Sequence, residues 1–106
     1  MTDEEQKVIA YAAELDRRAN AFIAKMAEKE VRFEPVVDAF WKMTGPLTQD
    51  SLAVYTALCI LLGQVIALVE DKAMRIDMQA AAQRMINTSI KAAAEEYEAA
   101  GLYRRN

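Results

Sequence analysis

Histidine is absent from this sequence. The sequence therefore lacks the side chain that most often serves as a general base or a metal ligand. The Ser-His and Cys-His nucleophile pairs and the Glu-x-x-His motif of di-iron helical bundles are therefore excluded. The one cysteine, Cys59, has no partner for an intrachain disulfide. We expect a protein that is not an enzyme and that holds neither a metal nor another cofactor.

Glycine and proline are scarce, with three and two residues in a chain of 106. Long stretches without either residue favour helices over the frequent turns of a β-protein. Hydrophobic residues make up 54% of the chain and charged residues 27%, too apolar for disorder and too charged for a membrane bundle. The sequence predicts a single all-α domain over residues 1–106. We expect a small bundle of about four helices (long, short, long, long) that is completed by dimerisation.

An excess of basic residues is also lacking, because the net charge is −3. Binding to nucleic acid regardless of its sequence requires a basic surface that displaces counterions from phosphates, so no nucleic-acid partner is expected. Acidic residues follow the first two positions, as Asp3, Glu4 and Glu5, the opposite of a secretion or transit signal. We expect a soluble, cytoplasmic protein.

The first two predicted helices are marked by a cap and a proline. Thr2 and Glu5 have the spacing of a capping box, and apolar residues then recur at steps of three and four, which predicts one buried stripe. The stripe consists of Val8, Ala12, Leu15, Ala19, Phe22 and Met26. Pro35 disfavours helical geometry in the preceding residue, so helix one should end near Val31. Helix two should then run to about Met43, where Gly45 and Pro46 stop it.

The third predicted helix begins with Thr48 as its N-cap and is almost wholly apolar from Leu52 to Val69. Its length and hydrophobicity pass a crude transmembrane screen. Charged residues border the segment closely and no basic cluster anchors either end, so we expect no contact with a membrane. We expect instead a central helix, wrapped by the other helices or by a second chain.

The fourth predicted helix begins after a break between Glu70 and Asp77, with Asp77 as the N-cap. We expect this break in preference to the alternative, one continuous helix of about 50 residues. Gly101 should end the helix in a Schellman motif in which Tyr97 and Leu102 are paired. One face is apolar and consists of Met78, Ala82, Met85, Ile86, Ile90, Ala93 and Tyr97.

The closest approach to a catalytic motif is a pair of carboxylates near the end of the chain. The spacing of Glu95 and Glu98 resembles half of the magnesium-binding motif of all-α nucleotide pyrophosphohydrolases, but the second half, on a later helix, is missing. We interpret these glutamates as solvated charges on a helix surface.

Small residues recur every four positions in helix three, at Cys59, Gly63 and Ala67. Such a stripe lets another helix backbone come close, and Cys59 is expected to be buried and inert. Gln64 projects beside the stripe, where an unpaired amide would cost about 1 to 3 kcal/mol. Two solutions stay open, a mutual Gln64 pair across a two-fold axis or a bond to a carbonyl or water within one chain.

Trp41 lies at the edge of the predicted apolar face of helix two, next to Phe40. This face consists of Phe33, Val36, Val37 and Phe40. A tryptophan at such an edge is typical of an interface anchor and equally of the margin of a core. Both interpretations of Trp41 stay open.

These observations predict a small non-enzymatic protein–protein interaction module that acts as a helical homodimer. A regulator, an inhibitor or an assembly subunit would fit this description, with a partner protein that the sequence does not identify. The first alternative is a bundle that holds an apolar small molecule in a cavity lined by Met74, Met78, Met85 and Gln64. The second alternative is a small enzyme, for which no plausible set of acid, base or metal ligands is present.

Overall fold

The computed structural model describes residues 1–44 and 51–103. Within these two ranges the chain forms four helices and no strand. They are α1 (Asp3–Glu28), α2 (Glu34–Thr44), α3 (Ser51–Ala67) and α4 (Lys72–Ala99). The predicted all-α class and the order long, short, long, long are confirmed. In the described part of the chain no helix combines the length and the hydrophobicity needed to cross a membrane.

α1 begins with the predicted capping box. The Glu5 backbone N–H donates to the Thr2 hydroxyl (3.1 Å), and the Thr2 N–H donates to a Glu5 carboxylate oxygen (3.4 Å). The predicted end near Val31 is wrong, because α1 stops at Glu28. Glu30 has a φ of 51°, and this left-handed residue turns the chain away from the helix axis before Pro35 is reached.

α3 and α4 are separate helices, since α3 ends at Ala67 and α4 begins at Lys72. The Asp71 carboxylate accepts hydrogen bonds from the backbone N–H groups of Ala73 (2.9 Å) and Met74 (3.4 Å), so Asp71 is the N-cap. The continuous helix is therefore excluded. The predicted cap at Asp77 is wrong, because Asp77 lies inside α4.

α4 ends in the predicted Schellman motif. Gly101 has a φ of 71°. The Leu102 N–H donates to the Tyr97 carbonyl (2.9 Å) and the Gly101 N–H to the Glu98 carbonyl (3.0 Å), which is the double bond pattern of that motif. The predicted stop at Gly45 and Pro46 and the predicted cap Thr48 lie outside the described residues.

The chain divides into two compact units, and the first comprises Met1–Ile23 with Ile76–Asn106. In this unit two ion pairs join α1 and α4. Arg18 Nε lies 3.6 Å from Asp77 Oδ1, and Arg84 Nη1 lies 3.9 Å from Asp16 Oδ1. The later residue of α1 is paired with the earlier residue of α4, so the two helices run antiparallel. One small residue on each of these helices is buried, with Ala19 2% exposed and Ala81 0% exposed. Ala19 belongs to the predicted stripe, whereas Ala81 was missing from the predicted face of helix four. Val8, at the other end of the stripe, is exposed.

The second unit comprises Ala24–Arg75 and contains α2 and α3. The C-terminal end of α2 approaches α3, and Thr44 is buried there with its hydroxyl donating to the Phe40 carbonyl (3.0 Å). The rest of the predicted apolar face of helix two is exposed, at Phe33, Val36 and Val37. These three residues were expected to be buried, but no described element of this unit covers Phe33, which precedes α2, or Val36 and Val37 near its start.

Candidate functional site

α3 has the most unusual composition and exposure of the four helices. None of its 17 residues is charged and none is buried. Of the two coverings expected for α3, the other helices or a second chain, the described residues of its own unit do not provide the first. Its large exposed side chains, here called the α3 surface, are 40% to 76% exposed. They are Leu52, Tyr55, Leu58, Ile60, Leu61, Leu62 and Val65.

The size of this surface exceeds what a monomeric protein usually leaves in water. A helix of 17 residues is about 26 Å long and about 10 Å across, so its sides present about 800 Å². Exposed apolar patches on monomers rarely exceed about 300 to 600 Å². Larger patches are typical of interaction sites, and the α3 surface is therefore the candidate functional site.

The stripe of small residues lies on one side of α3 and is open. A Cβ added to Gly63 would meet no other described atom of the chain within 4 Å, so another backbone has room to approach. Cys59 was expected to be buried and is exposed, because no element among the described residues of the second unit covers this side. Gln64 is exposed as well, and in the single chain its amide can therefore bond to water without the expected cost.

The other side of α3 forms a cavity with the end of α2, here called the α2–α3 cavity. Its volume is about 400 Å³. The described lining consists of Phe40, Met43, Thr44, Ala53, Val54, Ala57, Leu58 and Leu61. The predicted cavity lining of Met74, Met78, Met85 and Gln64 is not found here, since none of these residues contacts this cavity.

Trp41 lies beside this cavity without lining it. Its indole is 53% exposed, and its ring meets that of Phe40 edge to face, with centroids 5.6 Å apart. Phe40 is half-buried and lines the cavity. The structure thus brings Phe40 and Trp41 together at the end of α2, where the sequence placed them. It shows no contact between them and the small residues of α3.

The first unit carries charged and polar groups instead. A cavity of about 260 Å³ between α1 and α4 is lined by Ala12, Leu15, Asp16, Ala80, Gln83, Arg84 and Asn87. Nearby, Arg17 donates two hydrogen bonds to Glu14 (2.9 and 2.5 Å). These bonds hold the pKa of the Glu14 carboxyl below its usual value. Both side chains are exposed, and such surface pairs contribute little stability.

In residues 1–44 and 51–103, no three Cys, Asp or Glu side chains are grouped so that they could hold a metal ion. Comparisons of the chain with protein families, with curated proteins and with solved structures find no match.

Proposed function

We propose that this protein is a non-enzymatic interaction module that acts as a homodimer through the α3 surface, in the role of a regulator, an inhibitor or an assembly subunit. The observation that carries the proposal is that α3 has no charged and no buried residue among its 17. A helix that is apolar on all sides is a stable arrangement in water only when other apolar groups cover it.

The area of α3 is sufficient for a dimer. Standard protein interfaces bury about 800 Å² on each partner, and α3 together with the exposed face of α2 offers at least that much. Full burial of one large apolar side chain contributes about 1.5 to 3 kcal/mol, so covering the exposed half of the five such chains that do not line the α2–α3 cavity contributes about 4 to 8 kcal/mol. This gain is comparable to the estimated cost of association, about 4 to 15 kcal/mol.

A second copy of the chain is the occupant that suits this surface best. A partner with charged side chains would bury them against α3 without counter-charges, which is costly. Another α3 brings an uncharged surface of the same size. In a two-fold symmetric contact one patch serves both copies, so no further complementary surface is required.

Trp41 is the proposed anchor for a protein other than the second copy. Half-exposed tryptophans are common among the residues that contribute most to binding, and the edge contact with Phe40 fixes the ring in position. We also propose a cytoplasmic location, since the lone exposed thiol of Cys59 suits a reducing compartment.

Two matched variants test the α3 dimer. Ile60 on α3 and Ile90 on α4 are 55% and 62% exposed, so arginine at either position leaves the packing within the chain unchanged. We expect the unmodified protein and Ile90→Arg to be dimers by light scattering, with a mass of twice 11.9 kDa. Ile60→Arg should be a monomer with the same helicity. If Ile60→Arg stays dimeric, α3 is not the interface.

A further inference from the structure

The α2–α3 cavity has the size of a ligand site. Its volume is about 400 Å³, within the range of about 300 to 1,000 Å³ that is typical of small-molecule pockets. The α2–α3 cavity therefore has room for two or three fused rings or for an alkyl chain of medium length.

The lining of the cavity determines the chemical class of the ligand. No charged residue belongs to its described lining, and Thr44 is the one polar member. Thr44 is 5% exposed and its hydroxyl already donates to the Phe40 carbonyl, so its proton is not available to a ligand. The rest of the described lining carries no polar side chain, so its contacts with a ligand are apolar. The lining selects an uncharged, apolar ligand.

A second copy of the chain is a poor occupant for this space. Residues two positions apart lie about 200° apart around a helix, so Ala57 and Leu61 on the cavity side lie opposite Cys59 and Gly63 on the open stripe. In helix–helix packing, one side chain enters a hole formed by four residues. Eight described residues line this cavity, which is more than a single side chain can fill.

We propose that the α2–α3 cavity binds an uncharged apolar small molecule, either an aromatic ring system or a medium-length alkyl chain. This proposal does not rest on the homodimer, because the cavity is formed by two helices of one chain. Ala57 is the position that controls entry, since its side chain is small and lies in the middle of the α3 lining.

Energy transfer from Trp41 to N-phenyl-1-naphthylamine, an uncharged aromatic probe, tests the proposal in the full chain. Trp41 is the sole tryptophan and its ring contacts Phe40 at the cavity, so a bound probe would quench its emission. We expect saturable quenching with one probe per chain, and displacement of the probe by n-decanol. The absence of saturable quenching would overturn the proposal.

Variants of Ala57 locate the probe. Leucine and then phenylalanine at this position fill more of the cavity, so the probe should bind more weakly in that order, by about tenfold or more for Ala57→Phe. Ala13→Phe makes the same change at an exposed position of α1 and should leave probe binding unchanged. Equal binding to Ala57→Phe and to the unmodified protein would overturn the proposal. Conversion of the dimer to a monomer by Ala57→Phe, without saturable probe binding to the unmodified protein, would assign the cavity to the second copy and overturn it too.

Discussion

At the scale of single residues, Glu30 has the most strained backbone conformation among the described residues. Its φ of 51° places a side chain in the left-handed region, which costs about 1 to 2 kcal/mol for residues other than glycine. Glu30→Gly should therefore stabilise the protein by about 1 kcal/mol in urea unfolding, after allowance for the greater freedom of glycine in the unfolded chain. Glu30→Ala is the control, because it removes the charge but keeps the strain. An equal gain from both variants would contradict this explanation.

Trp41 should behave as a surface residue in the free protein. Because its indole is 53% exposed, we expect red-shifted emission that acrylamide quenches readily. Trp41→Ala should cost the fold less than the roughly 3 to 5 kcal/mol of a buried tryptophan, as measured by urea unfolding. A blue-shifted emission that resists quenching would show that Trp41 is covered, either by the chain or by the second copy.

At the scale of helices, the features that could be predicted are those that depend on neighbouring residues. The capping box of Thr2 and Glu5 and the Schellman motif at Gly101 need only a few side chains at fixed spacings. The N-cap of α4 was misplaced because Asp71 and Asp77 both precede apolar, helix-forming sequence. The end of α1 was misplaced because a glutamate gives no sequence signal for a left-handed turn.

The candidate site depends on packing, and the sequence predicted it only in part. The uncharged character of α3 and the small residues Cys59 and Gly63 were evident from the sequence. Their exposure was not, since an all-apolar helix gives no indication of which side its own chain covers. The cavity lining depends on which end of α2 meets α3, and periodicity does not contain that information.

Substitutions of Gly63 distinguish an effect on the stability of α3 from an effect on the association of two chains. Because a Cβ has open space there, Gly63→Ala should raise helix stability by about 1 kcal/mol. Gly63→Leu should preserve the helicity of the chain but weaken the dimer at least about tenfold, since its side chain occupies the space where a second backbone would approach. Circular dichroism and sedimentation measure the two effects. Undiminished association of Gly63→Leu would place the dimer contact away from this stripe.

At the scale of the whole molecule, little apolar surface is buried. Among the described apolar residues only Ala19 and Ala81 are buried, whereas the conformational entropy lost on folding must be offset by extensive burial. We therefore expect association to add to the stability of the folded chain. The melting temperature should rise by about 3 to 6 °C for each tenfold increase in protein concentration. Ile60→Arg, as a folded monomer, should melt at a lower temperature that does not depend on concentration. A melting temperature of the unmodified chain that does not change with concentration would mean that association adds nothing to its stability.

Sedimentation equilibrium of the unmodified chain is the most direct test of the central claim that the α3 surface is covered by a second copy. At concentrations rising from about 1 to 100 μM, which reach well above the dissociation constant of a micromolar or tighter dimer, we predict a mass that reaches twice 11.9 kDa. A mass that stays near 11.9 kDa over the whole range would contradict the homodimer.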